Sequence, residues 1–132
     1  MAIITPQRPS IGVPITPTFT TISAADKFTS GGGGTYIILY SNGATPGTAT
    51  FWVLDGNNPG AVAPVGSQAP AIPTGATKWS DAQIVSSMSA TSLRMIAVDN
   101  VNMPNFTDST GFVNLKHNGT ITGNTVGVFG PF

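Results

Sequence analysis

The sequence has no cysteine, no glutamate and a single histidine, and charged residues make up only 8% of its 132 positions. Without cysteine there is no disulfide framework, no thiolate metal site and no thiol nucleophile. The five Lys and Arg balance the five Asp, for a formal net charge of zero. A nucleic-acid binder needs a basic excess to neutralise phosphates, and so does a protein that docks on an anionic membrane. Both classes are therefore disfavoured. No stretch approaches the roughly 20 apolar residues of a membrane-spanning helix. Met1-Ala2-Ile3-Ile4-Thr5-Pro6 lacks the basic and apolar regions of a signal peptide, so synthesis and folding in a cytoplasm are expected.

With so little charge the surface would be poorly soluble on its own, because net charge near zero promotes association. The expectation is a surface covered by a partner or by copies of the same chain.

What the sequence has in quantity is turn formers. Sixteen glycines and eleven prolines make up about a fifth of the chain. They punctuate short β-branched and aromatic runs, the pattern of an all-β protein. Its length sets one domain with one core. The fold expected is a compact β-sandwich or β-barrel-like domain over 19–132, preceded by an extended Pro-rich N-terminal arm over 1–18. Pro6, Pro9, Pro14 and Pro17 deny that arm both a helix and a central strand. Its Ile3, Ile4, Ile11, Val13 and Ile15 are too apolar for a solvated tail, which makes the arm a contact element.

Phe19 to Phe28 reads as one or two short strands, followed by Gly31-Gly32-Gly33-Gly34. A phosphate-binding loop needs a helix after its glycines. Here a strand follows, Thr35 to Tyr40, so the run is expected to be a hairpin loop. The turn cluster Ser41 to Gly47 and the strand Thr48 to Leu54 complete a second expected hairpin. The unbroken apolar character of these two strands suggests burial on both faces. About 55–78 is a Pro/Gly-rich surface loop. Trp79 to Met88 fits a helix or a strand, Ser92 to Val98 a strand, and Val101 to Ser109 a loop. The last expected hairpin runs from Thr110 to Lys116, turns at His117-Asn118-Gly119 and returns over Thr120 to Phe129. Val113 and Leu115 share its inward face.

No group of residues assembles into an active site. His117, placed at a hairpin tip, reads as a solvated turn residue, because a catalytic histidine needs supporting groups around it. Asp55, Asp99 and Asp108 flank strands, where aspartate stabilises turns. Neither Asp55-Gly56-Asn57-Asn58 nor Asp99-Asn100 has the spacing of a calcium loop. No Gly-x-Ser-x-Gly elbow occurs. The expectation is a protein that is not an enzyme and holds no metal or cofactor. Trp52 reads as core, whereas Trp79, beside Lys78 and the Pro-rich loop, reads as an interface anchor. The candidate partner-binding residues are Ile3, Ile4, Ile11, Val13 and Trp79.

The order of features resembles that of a known group. A Pro/Thr-rich leader precedes Ala24-Ala25-Asp26-Lys27-Phe28-Thr29, a Gly-rich turn and Thr35-Tyr36-Ile37-Ile38-Leu39-Tyr40-Ser41-Asn42-Gly43. Thr48-Ala49-Thr50-Phe51 comes next, and the chain closes on a strand containing Thr125-Val126-Gly127-Val128. This is similar to the small all-β capsid decoration, or cement, proteins of tailed bacteriophages. The resemblance covers about two thirds of the chain, and the 55–78 loop departs from it. It implies a virion protein on the capsid exterior, made in the host cytoplasm, that binds the major capsid protein as a homo-oligomer, with a trimer favoured. The rival expectation is a tail or fibre module that binds host-surface glycans through exposed aromatics.

Overall fold

The structure is a computed structural model and describes residues 2–23, 25–41, 49–54, 56, 84–85, 93–119 and 123–132. The chain is all-β, built from two four-stranded antiparallel sheets with almost no helix. One sheet contains β1 (Thr20–Thr21), β3 (Tyr36–Ser41), β6 (Leu93–Val98) and β8 (Thr125–Phe129), in the spatial order β1-β8-β3-β6. The other contains β2 (Ala25–Thr29), β4 (Ala49–Val53), β5 (Ile84–Val85) and β7 (Phe112–Gly119), in the order β2-β7-β4-β5.

None of the three expected hairpins forms. β2 and β3, β3 and β4, and β7 and β8 are each split between the two sheets. Each of these connections carries the chain across to the other sheet. Strands that pair are distant in sequence: β2 with β7, β3 with β6 and β8, β4 with β7. This arrangement lets every long strand bury one face against a common core, which adjacent hairpins in a single sheet would not do.

Alternation along the strands sets which residues are buried. Tyr36, Ile38 and Tyr40 of β3 point inward, as do Ile96 and Val98 of β6 and Val126 and Val128 of β8. Phe28 of β2, Val53 of β4 and Val113 and Leu115 of β7 meet them from the other sheet in one buried cluster. The inward orientation of Val113 and Leu115 follows the period of two expected from sequence.

The segment expected to be a loop at Val101 to Ser109 contains a single helical turn, α1 (Met103–Phe106), with Pro104 in its first turn. Proline suits that position because the amide it lacks has no helical partner there. Met103 and Phe106 drop from α1 into the core. Gly56 packs directly on the residue after the turn, where a β-carbon would lie 2.2 Å from the Thr107 carbonyl oxygen. Only glycine permits so close a backbone approach.

Residues 2–7 run along the domain and touch both sheets. The Ile4 amide donates to the Lys27 carbonyl, and the Lys27 amide donates to the Ala2 carbonyl. Three residues on, the Gln7 amide donates to the Val128 carbonyl and its own carbonyl accepts from the Gly130 amide. Ile4 is 3% exposed and belongs to the core cluster.

Candidate functional site

Two features of the molecule combine residues in ways that composition alone does not explain: a polar cluster inside the core and an apolar surface outside it.

The cluster centres on Asp26. As the residue two before Phe28 in β2, Asp26 follows the alternation inward and is 1% exposed. His117 lies two residues past Leu115 and follows the same alternation, so it too is buried. The expected turn at His117-Asn118-Gly119 is instead the end of β7, paired with β4 through Phe51↔His117, Thr50↔Asn118 and Ala49↔Gly119. His117 is therefore not a solvated turn residue. Its burial is held by a strand partner that no local signal specifies.

Within the cluster, Nε2 of His117 lies 3.0 Å from Oδ2 of Asp26, with both side chains fully buried. The Asp26 carboxyl also accepts from the Ser23 hydroxyl and amide, and from the Ala2 amide. Burial alone would raise its pKa. The hydrogen bonds from His117, Ser23 and Ala2 outweigh that and hold the carboxyl well below the usual carboxylate range. An ionised carboxylate only accepts, so Nε2 of His117 carries the proton and donates. The Tyr40 ring meets the His117 ring edge-on at 5.4 Å, linking one sheet to the other. Burial, reinforced by the Asp26 charge, pushes the Tyr40 phenol far above its ordinary pKa.

The residue types are those of a hydrolase triad, but the order is not. Here aspartate sits between serine and histidine, and Ser23 donates to the carboxylate rather than to the imidazole. A nucleophile needs its hydroxyl on the base and open to substrate. The geometry instead suits a structural network that fixes β2, β7 and the start of the chain. Among the described residues, no three or more His, Cys, Asp or Glu gather as a metal site.

Asp99 and Asp108 stabilise turns as expected. Asp99 accepts from the Asn102 amide and side chain ahead of α1. Asp108 accepts from Thr110, Phe112 and Asn114, and these bonds overcome partial burial to lower its pKa to about 2.

The apolar surface begins in the N-terminal segment. The Gln7 side chain behaves as a peptide group: Nε2 donates to the Thr18 carbonyl, and Oε1 accepts from the Thr18 amide, both at 2.7 Å. Residues 8–17 leave the domain and return through this clamp, exposed throughout. At the tip, the Val13 amide donates to the Ser10 carbonyl across a turn whose Gly12 has φ +76°. Ile11 is fully exposed and Val13 is 58% exposed.

Of the expected partner-binding residues, Ile3, Ile11 and Val13 are thus on the surface. Ile4 is taken into the chain's own core and offers no side chain to a partner. Trp79, most of the expected 55–78 loop and nearly all of the ambiguous Trp79 to Met88 stretch lie outside the described residues.

A second apolar region was not foreseen from sequence. The outward residues of the β1-β8-β3-β6 sheet are Leu93, Met95 and Ala97 on β6, Ile37 and Leu39 on β3, and Gly127 and Phe129 on β8, with the polar Ser41, Thr125 and Thr21 at one end. Phe19 at the foot of the loop stacks edge-on against Phe129, 6.3 Å between centroids, with Gly127 beneath both rings. The described outward side of the other sheet, on β2 and β7, has a more polar character. It carries Lys27, Thr29, Asn114 and Lys116, and Lys27 sits 4.0 Å over the ring of Phe112. The continuous apolar run Tyr36 to Tyr40 reflects this asymmetry, because one chain buries only its inner half. The signal was present in the sequence, but which half would face the core was not.

Compared with known proteins, the chain matches no family model, no curated protein and no solved structure.

Proposed function

We propose that this chain is a structural virion protein, a capsid decoration or cement protein that binds the outside of a phage head and stabilises contacts between capsomers. The observation that carries the reading is where its polar and apolar groups lie. The residues with chemical potential, Asp26, His117 and Ser23, are committed to one another inside the core, whereas isoleucine, valine, leucine and methionine side chains stand in solvent. Such a surface works by burial against a partner.

The strand order adds support. Sheets ordered β1-β8-β3-β6 and β2-β7-β4-β5, sharing one core, have the connectivity of a double-sheet jelly roll, a sandwich architecture frequent in viral capsid and lectin domains. Likeness of strand order supports the role by analogy of fold.

In this reading the partner is the major capsid protein, the chain acts as a homo-oligomer on the capsid exterior, and no enzymatic step is involved. The clamped loop Arg8 to Pro17 carries the shell contact through Ile11 and Val13. Deleting Ile3 to Val13 would also remove Ile4 from the core, so point substitutions at the loop tip are the cleaner probe.

The test is copy number in purified particles by quantitative mass spectrometry. Stoichiometry comparable to the main shell protein supports decoration. A few copies per particle favour the tail or fibre module that binds host-surface glycans. Absence from particles overturns the virion reading altogether.

A further inference from the structure

Residues 2–7 occupy a seat built by distant parts of the chain. Their backbone bonds to Lys27 on one side and to Val128 and Gly130 on the other. Ile4 enters the core, and the Ala2 amide reaches the buried Asp26 carboxylate. The Gln7 side chain closes on Thr18, which is held beside the seat by Phe19 against Phe129 and by β1 on β8. Residues 8–17 join the two ends of this clamp and are exposed throughout. Among the described residues, the hydrogen bond formed within that span is from the Val13 amide to the Ser10 carbonyl.

We infer that residues 2–7 of each chain seat in a second copy of this chain, by reciprocal exchange, with residues 8–17 opened as the hinge. The seat specifies its occupant, because a second copy of residues 2–7 repeats every contact that the first one makes. Gln7 of the incoming segment meets Thr18 of the copy that receives it. Ala2 of that segment completes the receiving copy's Asp26 cluster. What each chain gives up is the Ser10–Val13 turn.

The hinge itself favours the open form. Pro9, Pro14 and Pro17 fix φ and prefer an extended, polyproline-like path. The chain reversal is confined to the four residues between Pro9 and Pro14, where Gly12 has φ +76°. Opened, ten residues at about 3.1 Å each span about 30 Å. That length is comparable with the width of a domain of this size. A stiff spacer also lowers the effective concentration of the segment at its own seat, so a second copy competes for it.

The side chains of the hinge point the same way. Ile11 is fully exposed and Val13 is 58% exposed. In a reciprocal exchange the two hinges run past each other in opposite directions. Each isoleucine and valine then gains apolar neighbours from the other copy, while the outer side of the paired strip stays open. This inference does not rest on the virion reading, since it concerns the purified chain alone.

Because the chain has no cysteine, introduced cysteines report where the segment sits. Ile3 and Lys27 are bridge partners, close enough for a disulfide, and Ile3 is 65% exposed. Ile3→Cys chains and Lys27→Cys chains, unfolded together and refolded, should cross-link to each other on mild oxidation. The double variant should run as a covalent dimer on a denaturing, non-reducing gel. A double variant that closes only within single chains, with mixed single variants left unlinked, would overturn the inference.

Gly12→Ala gives a second reading that leaves the seat untouched. No atom lies within 4 Å of the added β-carbon, so its penalty is the positive φ of the closed turn. The opened hinge does not need that φ. Sedimentation equilibrium should show a reversible dimer, and Gly12→Ala should strengthen it by about tenfold or more. A monomer at all concentrations, or a dimer weakened by Gly12→Ala, would contradict the exchange.

Discussion

His117 and Asp26 are 91 residues apart in the chain, yet Nε2 of one lies 3.0 Å from Oδ2 of the other with both side chains sealed from solvent. They occupy diagonal positions on the paired strands β2 and β7, where Asp26 lies directly opposite Leu115. This pair, with Ser23 and the Ala2 amide, couples the start of the chain to β2 and β7.

Removing either partner should be costly, because the group left behind is a buried polar or charged atom without its main contact. Asp26→Asn or His117→Ala is expected to lower stability by about 3 kcal/mol. The double variant should lose less than the sum of the two. Urea unfolding of the four proteins measures this, and single losses under half a kilocalorie would mean the pair is dispensable.

Stability should depend on pH at both ends of the scale. Asp26 and Asp108 have carboxyls held below the ordinary value of 3.8 in the folded chain. Their stabilisation is complete above that value and is lost as pH falls from about 4 toward about 2, the folded value for Asp108. Tyr40 has the opposite sign for alkali. Its folded pKa lies above the ordinary 10.0, so its contribution is lost as pH rises past 10. Melting temperatures should fall as pH drops below about 4 and as it rises above about 10, with Asp108→Asn flattening part of the acid limb.

The Gln7 clamp makes a local prediction. In Gln7→Ala the Thr18 amide loses its acceptor and should exchange with solvent much faster, at a global cost of about 1 kcal/mol. Gln7→Glu keeps the acceptor but loses the donor to the Thr18 carbonyl, so protection should fall between the two. Unchanged Thr18 exchange in Gln7→Ala would show that the loop is closed by something else.

Two glycines should respond differently to alanine. At Gly56 the added β-carbon meets the Thr107 backbone at 2.2 Å, which no side-chain motion relieves. At Gly127 it meets the rings of Phe19 and Phe129 at 3.1 Å, and partly exposed Phe19 can yield by a few tenths of an ångström. Gly56→Ala should cost more than about 2 kcal/mol and Gly127→Ala about 1 or less. Equal losses by thermal unfolding would contradict the contrast.

Much of the local structure was legible from residue types. The β-branched and aromatic runs lie where β2, β3, β4, β6 and β8 form, and the inward pair Val113 and Leu115 follows from period-two alternation. Carried two residues further, the same alternation would have placed His117 inside, but the Asn-Gly after it suggested a turn. Asp26 was equally readable by its spacing from Phe28, yet a lone aspartate in a strand gives no sign that a histidine and a serine will meet it.

The sequence by itself determined that the chain would be all-β and where most strands would run. Those properties depend on residues close together in the chain, through backbone sterics, alternation and turn chemistry. Only the tertiary structure decided which strands pair, and so turned three expected hairpins into crossings between sheets. It drew Ile4 into the core, joined Asp26 to His117, and turned Leu93 and Met95 of β6 outward. Pairing partners are selected by burying one face of every strand at once, a condition on the whole chain that no short stretch of residues encodes.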